Sequence, residues 1–343
     1  MSRKSQYKVA MVGATGAVGE AVLGILAERD FPMSELVPLA SERSAGATVT
    51  SGRREFVVRE LETYDFTGVD IAFFSAGSAV SRVHAPRAAA AGAVVIDNTS
   101  EFRYQDDIPL VVSEVNPHAI ADYTARGIIA NPNCSTMQML VALAPIHRAV
   151  GIERINVATY QSVSGAGRSG MEELGKQTAS LLNFQGAEPR TKFPAQIAFN
   201  VIPQIDDFEA NGYTREEMKM VWETRKILED ESIRVNPTAV RVPVFYGHAE
   251  AVHIETRDPI SVEAARALLG QAPGVVLMDE RKPGGYPTPV GEAAGRDPVF
   301  VGRVRADISH DRGLDMWIVA DNIRKGAALN AVQIAELLIE DYL

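Results

Sequence analysis

Short apolar segments alternate with segments of helical periodicity in the first third of the chain. "YKVAMVG", "LVPLA", "VDIAFFS" and "AVVIDNTS" have the length and composition of buried strands. "AVGEAVLGILAER" and "SAVSRVHAPRAAAAGA" instead carry apolar residues at helical spacing. Strands and helices that alternate in this way predict a parallel sheet with helices packed on its faces.

The pattern becomes mixed near Cys134. "CSTMQMLVALAPIHRAV" and "TREEMKMVWETRKILED" predict helices, whereas "ERINVATYQSVSGAG", "TAVRVPVFY" and "AEAVHIETR" predict strands. The tail "RKGAALNAVQIAELLIEDYL" predicts a final helix. We therefore expect two domains: an α/β domain of residues 1–133 plus 324–343, and an α+β domain of residues 134–323.

Composition excludes several classes of protein. The net charge of −10 disfavours nucleic acid as a partner, because phosphate backbones recruit basic surfaces. No apolar run reaches the roughly 18 residues of a membrane span, and we expect no signal peptide. The single cysteine allows no internal disulfide, and no Cys/His spacing predicts a metal site. A cytoplasmic protein fits these observations.

A glycine turn, "GATGAVG", joins the first strand to the first helix. Gly13, Gly16 and Gly19 let the backbone approach a pyrophosphate, whose charge suits a helix N-terminus. The spacing differs from the G-x-G-x-x-G fingerprint, so a tight turn without a ligand is the alternative. The position of the turn in the first βα unit favours a Rossmann-like dinucleotide site.

The second predicted strand leads into "LASERSAG", where the ribose of a dinucleotide would lie. An acidic residue there holds the 2′-OH of NAD, whereas an arginine accommodates the 2′-phosphate of NADP. Glu42 is present, but Ser41, Arg43 and Ser44 surround it with donors for phosphate. We expect NADP; the alternative is that Arg43 is a solvated loop residue.

Cys134 is the only cysteine and begins a predicted helix. A lone cysteine is often a small buried hydrophobe, but a helix N-terminus lowers the pKa of a thiol and makes thiolate available. Beside a nicotinamide, such a thiolate suggests covalent aldehyde oxidation: the sulfur adds to a carbonyl, a hydride leaves, and a thioester remains.

This chemistry needs a base for the hemithioacetal proton, and the six histidines leave the choice open. His248 follows Gly247, where a side chain can be aimed out of a regular strand, while His253 can equally face solvent or core. Arg241 lies seven residues before His248, and an unbroken strand would put the two on opposite faces. Gly247 permits a bend that could bring both toward one cleft.

Segments in a fixed order resemble the bacterial aspartate-semialdehyde dehydrogenase family along nearly the whole chain. They are "VGATGAVG", "ASERSAG", "DNTSEFR", "NPNCST", "YQSVSGAG", "EEMKMVWETRKI", "RVPVFYGHAEAV" and "DNIRKGAALNAVQIAE". The resemblance implies that Cys134 is the nucleophile, His248 the acid/base, and Gln161 a group that positions the attacked carbonyl. It also implies an NADP site formed by Gly13, Thr15, Gly16, Ala17, Val18, Ser41, Arg43, Ser44, Ser164, Gly165 and Asn322.

The resemblance implies a substrate pocket as well. Arg103 and Lys219 would bind the acyl phosphate or inorganic phosphate, Arg241 the α-carboxylate, and Glu216 the amino group. These groups match the charges of L-aspartyl 4-phosphate, since Arg binds oxyanions bidentately and Lys serves as a point charge. Without the resemblance, Glu216 and Lys219 would be interpreted as a solvated ion pair on one helix face, and Arg103 as a surface residue.

The expected reaction is the NADPH-dependent reductive dephosphorylation of L-aspartyl 4-phosphate to L-aspartate 4-semialdehyde. It belongs to the synthesis of lysine, threonine, methionine and diaminopimelate. One alternative is an N-acetyl-glutamyl-phosphate reductase, which would have no use for Glu216. Another is a non-catalytic NADP-binding protein, which Cys134 disfavours. The resemblance also implies a homodimer or homotetramer built on the sheet of the second domain.

Overall fold

The computed structural model describes residues 4–186 and 189–343, which divide into two compact units. The first unit runs to Pro132 and is completed by Ala327–Leu343, and the second comprises Asn133–Gly326. Within the described ranges, no helix is long and apolar enough to cross a membrane.

Both units contain helices and strands, numbered here in chain order. The strands are β1 (Tyr7–Val12), β2 (Met33–Ala40), β3 (Thr48–Ser51), β4 (Arg54–Val57), β5 (Arg59–Glu60), β6 (Ile71–Phe74), β7 (Val94–Asp97), β8 (Ile128–Ala130), β9 (Ile152–Gln161), β10 (Arg234–Arg241), β11 (His248–Thr256), β12 (Val275–Leu277), β13 (Val299–Ala306) and β14 (Gly313–Ala320). The helices are α1 (Ala17–Glu28), α2 (Ser78–Ala90), α3 (Cys134–Val150), α4 (Arg168–Leu182), α5 (Arg215–Leu228), α6 (Val262–Gln271) and α7 (Asn330–Asp341).

The first unit is built on a six-stranded parallel sheet in the order β5-β2-β1-β6-β7-β8. β6 and β7 are buried at every residue, as expected of parallel strands that are covered on both faces. Leu26 of α1, Ile71 of β6 and Leu338 of α7 belong to one apolar core. The predicted Rossmann-like α/β fold is confirmed.

The second unit is built on a mixed sheet in the order β10-β9-β11-β14-β13-β12. The β9/β10 and β12/β13 pairs are parallel, and the other pairs are antiparallel. α3 packs on one face of this sheet, against β9, β11, β13 and β14. Residues of β11 therefore alternate: Glu250 and Val252 are buried toward that helix, whereas Ala251 is exposed on the opposite face.

Three segments predicted as regular elements are shorter in the structure. The strand predicted from "ERINVATYQSVSGAG" ends at Gln161, and the one from "TAVRVPVFY" ends at Arg241. Pro243 cannot donate to a strand ladder, which accounts for the second ending. The tail is α-helical only from Asn330, since Arg324–Leu329 forms a π-helical stretch.

Candidate active site

The helix that begins at Cys134 is capped by the residue before it. The side-chain oxygen of Asn133 accepts hydrogen bonds from the backbone N–H groups of Ser135 and Thr136, at 3.0 and 3.2 Å. The partly exposed Cys134 thus occupies the first turn of α3, where the helix dipole favours negative charge. A Cβ on Gly326 would lie 2.7 Å from the Cβ of Cys134, so only glycine fits beside it.

The buried carboxylate of Glu216 accepts hydrogen bonds from three side chains: Gln161 and Lys219, which were predicted site residues, and Asn133, which precedes Cys134. Its Oε1 accepts from the amides of Asn133 at 2.9 Å and Gln161 at 3.3 Å. Its Oε2 accepts from the ammonium of Lys219 at 3.0 Å. The side chains of Glu216 and Lys219 are only 7% and 13% exposed, so the interpretation as a solvated ion pair is wrong.

Both members of this pair stay charged at neutral pH. Burial alone would raise the pKa of Glu216, but the charge of Lys219, hydrogen bonds from Asn133 and Lys219, and the charge of Arg241 lower it to about 2. Burial alone would lower the pKa of Lys219, yet the carboxylates of Glu216 and Asp206 raise it. The second unit therefore holds a permanent negative charge on Glu216 and a permanent positive charge on Lys219, both largely shielded from solvent.

Arg241 ends β10 directly beside Gln161, which ends the parallel strand β9. The guanidinium is buried and donates to the carbonyl oxygen of Ser162 at 2.8 Å. Its charge acts on both Glu216 and Cys134. Because arginine remains protonated in proteins, Arg241 is a permanent cation close to the thiol.

His248 is fully buried at the start of β11. Gly247 has a φ of +87°, and β10 and β11 are separated in the sheet by β9, so Arg241 and His248 do not belong to one strand. Burial, and then the charge of Arg241, lower the pKa of His248 to about 3 against the opposing effect of Glu216. His253 instead lies on the other face of the sheet, 3.2 Å from Asp315.

Ser164, Gly165 and Asn322, predicted to contact the cofactor, lie around His248 in the second unit. The Ser164 hydroxyl accepts from the side-chain amide of Asn322 at 3.0 Å. A Cβ on Gly165 would lie 3.0 Å from Nη1 of Arg241 and 3.4 Å from Nε2 of His248. Glycine at 165 therefore keeps open the space beside these two side chains.

The glycine turn of the first unit fits the pyrophosphate of a dinucleotide. Gly13 has a φ of +87°, and a Cβ on it would lie 2.6 Å from the carbonyl oxygen of Ser75. Gly16 is the N-cap of α1 and supplies no side-chain cap, so the first N–H groups of the helix are left for a ligand such as a phosphate. Thr15, Ala17 and Val18 form the remainder of this turn and the start of the helix.

The loop that follows β2 lies at the same sheet edge, since β1 and β2 are parallel neighbours. Ser41 precedes a 3-10 turn over Glu42–Ser44, and Arg43 is exposed there.

Arg103 follows β7 in the first unit and donates to the carbonyl oxygen of Asn98 at 2.9 Å. It is 6% exposed, so its interpretation as a surface residue is wrong.

Several residues that build the site were not singled out from the sequence. Asn133 could have been found, because an asparagine before a periodic apolar run is a typical N-cap. Glu223, which accepts from the backbone N–H of Asn133 at 2.6 Å, and Ser162, which contacts His248, carry no local signal. Among the described residues, no group of three or more His, Cys, Asp or Glu could hold a metal ion.

A dinucleotide-type α/β unit together with a second, mixed-sheet unit is the arrangement of an NAD(P)-dependent oxidoreductase. Residues 8–123 match the family model described as semialdehyde dehydrogenase, NAD binding domain, and residues 143–325 match the semialdehyde dehydrogenase, dimerisation domain. The chain belongs to the aspartate-semialdehyde dehydrogenase family, which confirms the resemblance.

Individual relatives cover the full length. An aspartate-semialdehyde dehydrogenase from Legionella pneumophila is 63% identical, covering 100% of this chain and 98% of its own. The crystal structure of aspartate semialdehyde dehydrogenase II complexed with ASA from Vibrio cholerae is 61% identical with a TM-score of 0.97, covering 99% and 100% of the two chains. A Candida albicans aspartate semialdehyde dehydrogenase with NADP is 26% identical with a TM-score of 0.74, covering 97% and 98%.

Proposed function

We propose that this protein converts L-aspartyl 4-phosphate to L-aspartate 4-semialdehyde with NADPH, releasing inorganic phosphate. The observation that carries the proposal is a pair of buried, opposite charges, those of Glu216 and Arg241. The two act on each other electrostatically, and Arg241 also acts on Cys134 at the start of α3. An α-amino acid presents the complementary pair, an ammonium and a carboxylate. The Vibrio cholerae relative complexed with ASA supports this substrate class.

Each charged group of the substrate has a matching side chain. Arg241 binds the α-carboxylate through its guanidinium fork, and Glu216 accepts a hydrogen bond from the amino group. Lys219 donates to two carboxylates, and the third N–H of its ammonium is available to a phosphate oxygen. The family resemblance assigns Arg103 to the phosphate as well. The family resemblance assigns Gln161 to positioning the attacked carbonyl, with an amide nitrogen that Glu216 and Thr159 hold in place.

Cys134 carries the covalent step. Its thiolate forms a C–S bond as the C–O bond to phosphate breaks, and the departing phosphate takes up a proton from solvent. Bound NADPH supplies the hydride that reduces the resulting thioester. The C–S bond then breaks, which restores the thiolate and releases the semialdehyde. The helix dipole and Arg241 stabilise the thiolate at both ends of this cycle.

The cofactor is NADP, held in the first unit by the glycine turn and by the loop after β2. Arg43 supplies the charge for the 2′-phosphate, with Ser41 and Ser44 as hydroxyl donors. The Candida albicans relative with NADP supports this choice. In the second unit, Ser164, Gly165 and Asn322 are assigned to the nicotinamide end.

A homodimer or homotetramer forms through the sheet of the second unit, on the face opposite α3. Tyr160 is exposed on that face, with its ring 5.5 Å from that of Trp317, and a shallow depression of about 300 Å³ lies beside Trp317. Exposed aromatic residues on an uncovered sheet face are typical of an interface. The match to the dimerisation domain supports this assembly, and the cytoplasm is the proposed location.

One assay tests the proposed function. The enzyme is run in the reverse direction, and NADPH formation is followed with aspartate semialdehyde or N-acetylglutamate semialdehyde, each with and without inorganic phosphate. Phosphate-dependent turnover of aspartate semialdehyde alone is the expected result. Preference for the N-acetylated substrate would favour the alternative reductase, and no turnover of either would leave a non-catalytic NADP-binding protein.

A further inference from the structure

The ammonium of Lys219 is shared between two carboxylates that come from different parts of the second unit. It lies 3.0 Å from Oε2 of Glu216, three residues earlier on α5, and 2.9 Å from Oδ2 of Asp206, in the segment that precedes this helix. The side chains of Lys219 and Asp206 are 13% and 36% exposed. Because an ammonium has three N–H groups, these two contacts leave one donor for a ligand.

Both oxygens of the Asp206 carboxylate have a partner that fixes the direction of the side chain. Oδ2 accepts from Lys219, and Oδ1 accepts from the backbone N–H of Asp207 at 3.1 Å. The carboxylate is therefore held by its own chain while it contacts the lysine.

The backbone of Asp206 lies in the left-handed region, with a φ of +70°. Aspartate enters this region more readily than most residues, but glycine adopts it with the least strain. A strained residue in contact with a site residue indicates that its side chain has a function there.

The segment around Asp206 is anchored on both sides of it. Ile202 is buried and exchanges two backbone hydrogen bonds of 2.9 Å with Arg241, where β10 ends. After Asp206, the carbonyl oxygen of Asp207 accepts from the backbone N–H of Arg215, the first residue of α5, at 2.7 Å. The surrounding structure therefore determines where the Asp206 carboxylate lies, as a strained conformation requires.

Two acceptors hold the ammonium of Lys219 better than one. The lysine side chain is long and flexible, and its three N–H groups rotate about a compact charge. With Glu216 alone, the ammonium could turn about a single contact. A second acceptor at Asp206 fixes two N–H directions, and the tetrahedral nitrogen then fixes the third.

Asp206 also helps to keep this lysine charged. Burial alone would lower the pKa of Lys219, whereas the charges and hydrogen bonds of Glu216 and Asp206 raise it. The free N–H of Lys219 therefore belongs to a cation, which is the state that binds a phosphate oxygen most strongly.

We propose that Asp206 is a positioning residue whose carboxylate, together with that of Glu216, holds the ammonium of Lys219 in the orientation that binds the phosphate. The proposal rests on the proposed function, which assigns Lys219 to the phosphate. It extends that site to a residue outside α5 that acts only through Lys219.

Asp206→Gly tests this role, because it removes the carboxylate and places the residue best suited to the left-handed backbone. Inorganic phosphate is titrated by calorimetry into the full-length enzyme with NADP bound. The Kd for phosphate should rise about fivefold to tenfold, as expected for the loss of one contact to a charged group. The KM for aspartate semialdehyde should change by less than about twofold, since Arg241 and Glu216 remain. An unchanged Kd for phosphate would overturn the proposal.

Asp206→Asn separates the hydrogen bond from the charge. Asparagine tolerates the left-handed backbone and keeps one oxygen acceptor, for which the ammonium of Lys219 is the stronger donor. The Kd for phosphate should therefore stay within about threefold of the wild-type value. A loss as large as that in Asp206→Gly would overturn the proposal, because the charge of Asp206 and not its contact would then be responsible.

The matched control is Glu229→Gly. Glu229 is the exposed C-cap of α5 and has a φ of +55°, so this variant also removes a carboxylate and places glycine at a left-handed residue. Its Kd for phosphate should equal that of the wild type, and melting temperatures check that all variants are folded. Equal weakening in Glu229→Gly and Asp206→Gly would overturn the proposal.

The wild-type enzyme distinguishes this proposal from the proposed function. Phosphate binding without phosphate-dependent turnover of aspartate semialdehyde would reject the proposed function, while the Kd values of the variants would still decide the role of Asp206. A wild-type enzyme that binds no inorganic phosphate would reject both.

Discussion

The side-chain amide of Asn133 joins two parts of the second unit: its oxygen caps the helix that begins at Cys134, and its nitrogen donates to Glu216 at 2.9 Å. The residue that sets the start of the helix therefore also fixes the carboxylate assigned to the substrate's amino group. The placement of Cys134 and that of the Glu216 carboxylate therefore both depend on the side chain of Asn133.

Substitutions at Asn133 should separate these two functions. Asn133→Ala loses the cap and should lower the free energy of unfolding by about 1 kcal/mol or more. Asn133→Asp keeps a capping oxygen but loses the donor and adds a like charge, so it should raise the KM for aspartate semialdehyde while recovering part of the stability. Calorimetry and steady-state kinetics measure both. Wild-type KM in the Asp variant would show that the contact with Glu216 is dispensable.

Cys134→Ser should leave folding and NADP binding intact and nearly abolish turnover. A hydroxyl at neutral pH is far less ionised than a thiol, so covalent addition stalls. Melting temperature and fluorescence titration with NADPH are the controls. A variant that kept about a tenth of the wild-type kcat would exclude Cys134 as the nucleophile.

Local patterns predicted much of this architecture, because a helix or strand that packs on one face has apolar residues at a regular spacing among neighbouring positions. The start of α3 at Cys134 and the glycine turn at Gly13 are of this kind. The contact between Ser162 and His248 joins residues 86 positions apart, and no local pattern marks it. The burial of Glu216 and Lys219 also depends on packing, since the same charges on an isolated helix would be solvated.

Arg43→Glu should shift the cofactor preference from NADP toward NAD. The loss of a charge-assisted contact to the 2′-phosphate should cost about 1.5–3 kcal/mol in NADP binding. The new carboxylate would repel the phosphate and can accept from the ribose 2′-OH of NAD. The KM values for both cofactors, measured at fixed ionic strength, provide the test. If neither value changed, Arg43 would be a solvated loop residue.

Lysine substitutions at the two buried arginines should affect different substrates. Lysine keeps the charge but loses the bidentate fork. Arg241→Lys should raise the KM for aspartate semialdehyde and leave that for inorganic phosphate nearly unchanged, whereas Arg103→Lys should do the reverse. Kinetics in the phosphorylating direction, with each substrate varied separately, distinguish the two. Equal increases in both KM values for both variants would reject the assignment to separate pockets.

Glu250 lies in the centre of the second unit's sheet and should make stability depend on pH. It is fully buried between β9 and β14, on the face covered by α3, and burial raises its pKa well above the ordinary value. The folded state therefore binds a proton that the unfolded chain releases near about pH 4.3. The stabilisation from this difference is complete below that pH and is lost as pH rises toward the folded-state pKa.

Glu250→Gln keeps the shape of the protonated carboxyl and cannot ionise. Relative to the wild type, the variant's free energy of unfolding should therefore rise as pH increases above about 5, by up to about 1.4 kcal/mol per pH unit until the folded-state pKa is reached, and its melting temperature should rise with it. Scanning calorimetry of both proteins at several pH values gives the difference. The matched control is Glu231→Gln, which removes a carboxylate at an exposed position of the same unit. A Glu250→Gln difference from the wild type that does not vary with pH would mean that the folded protein holds Glu250 ionised.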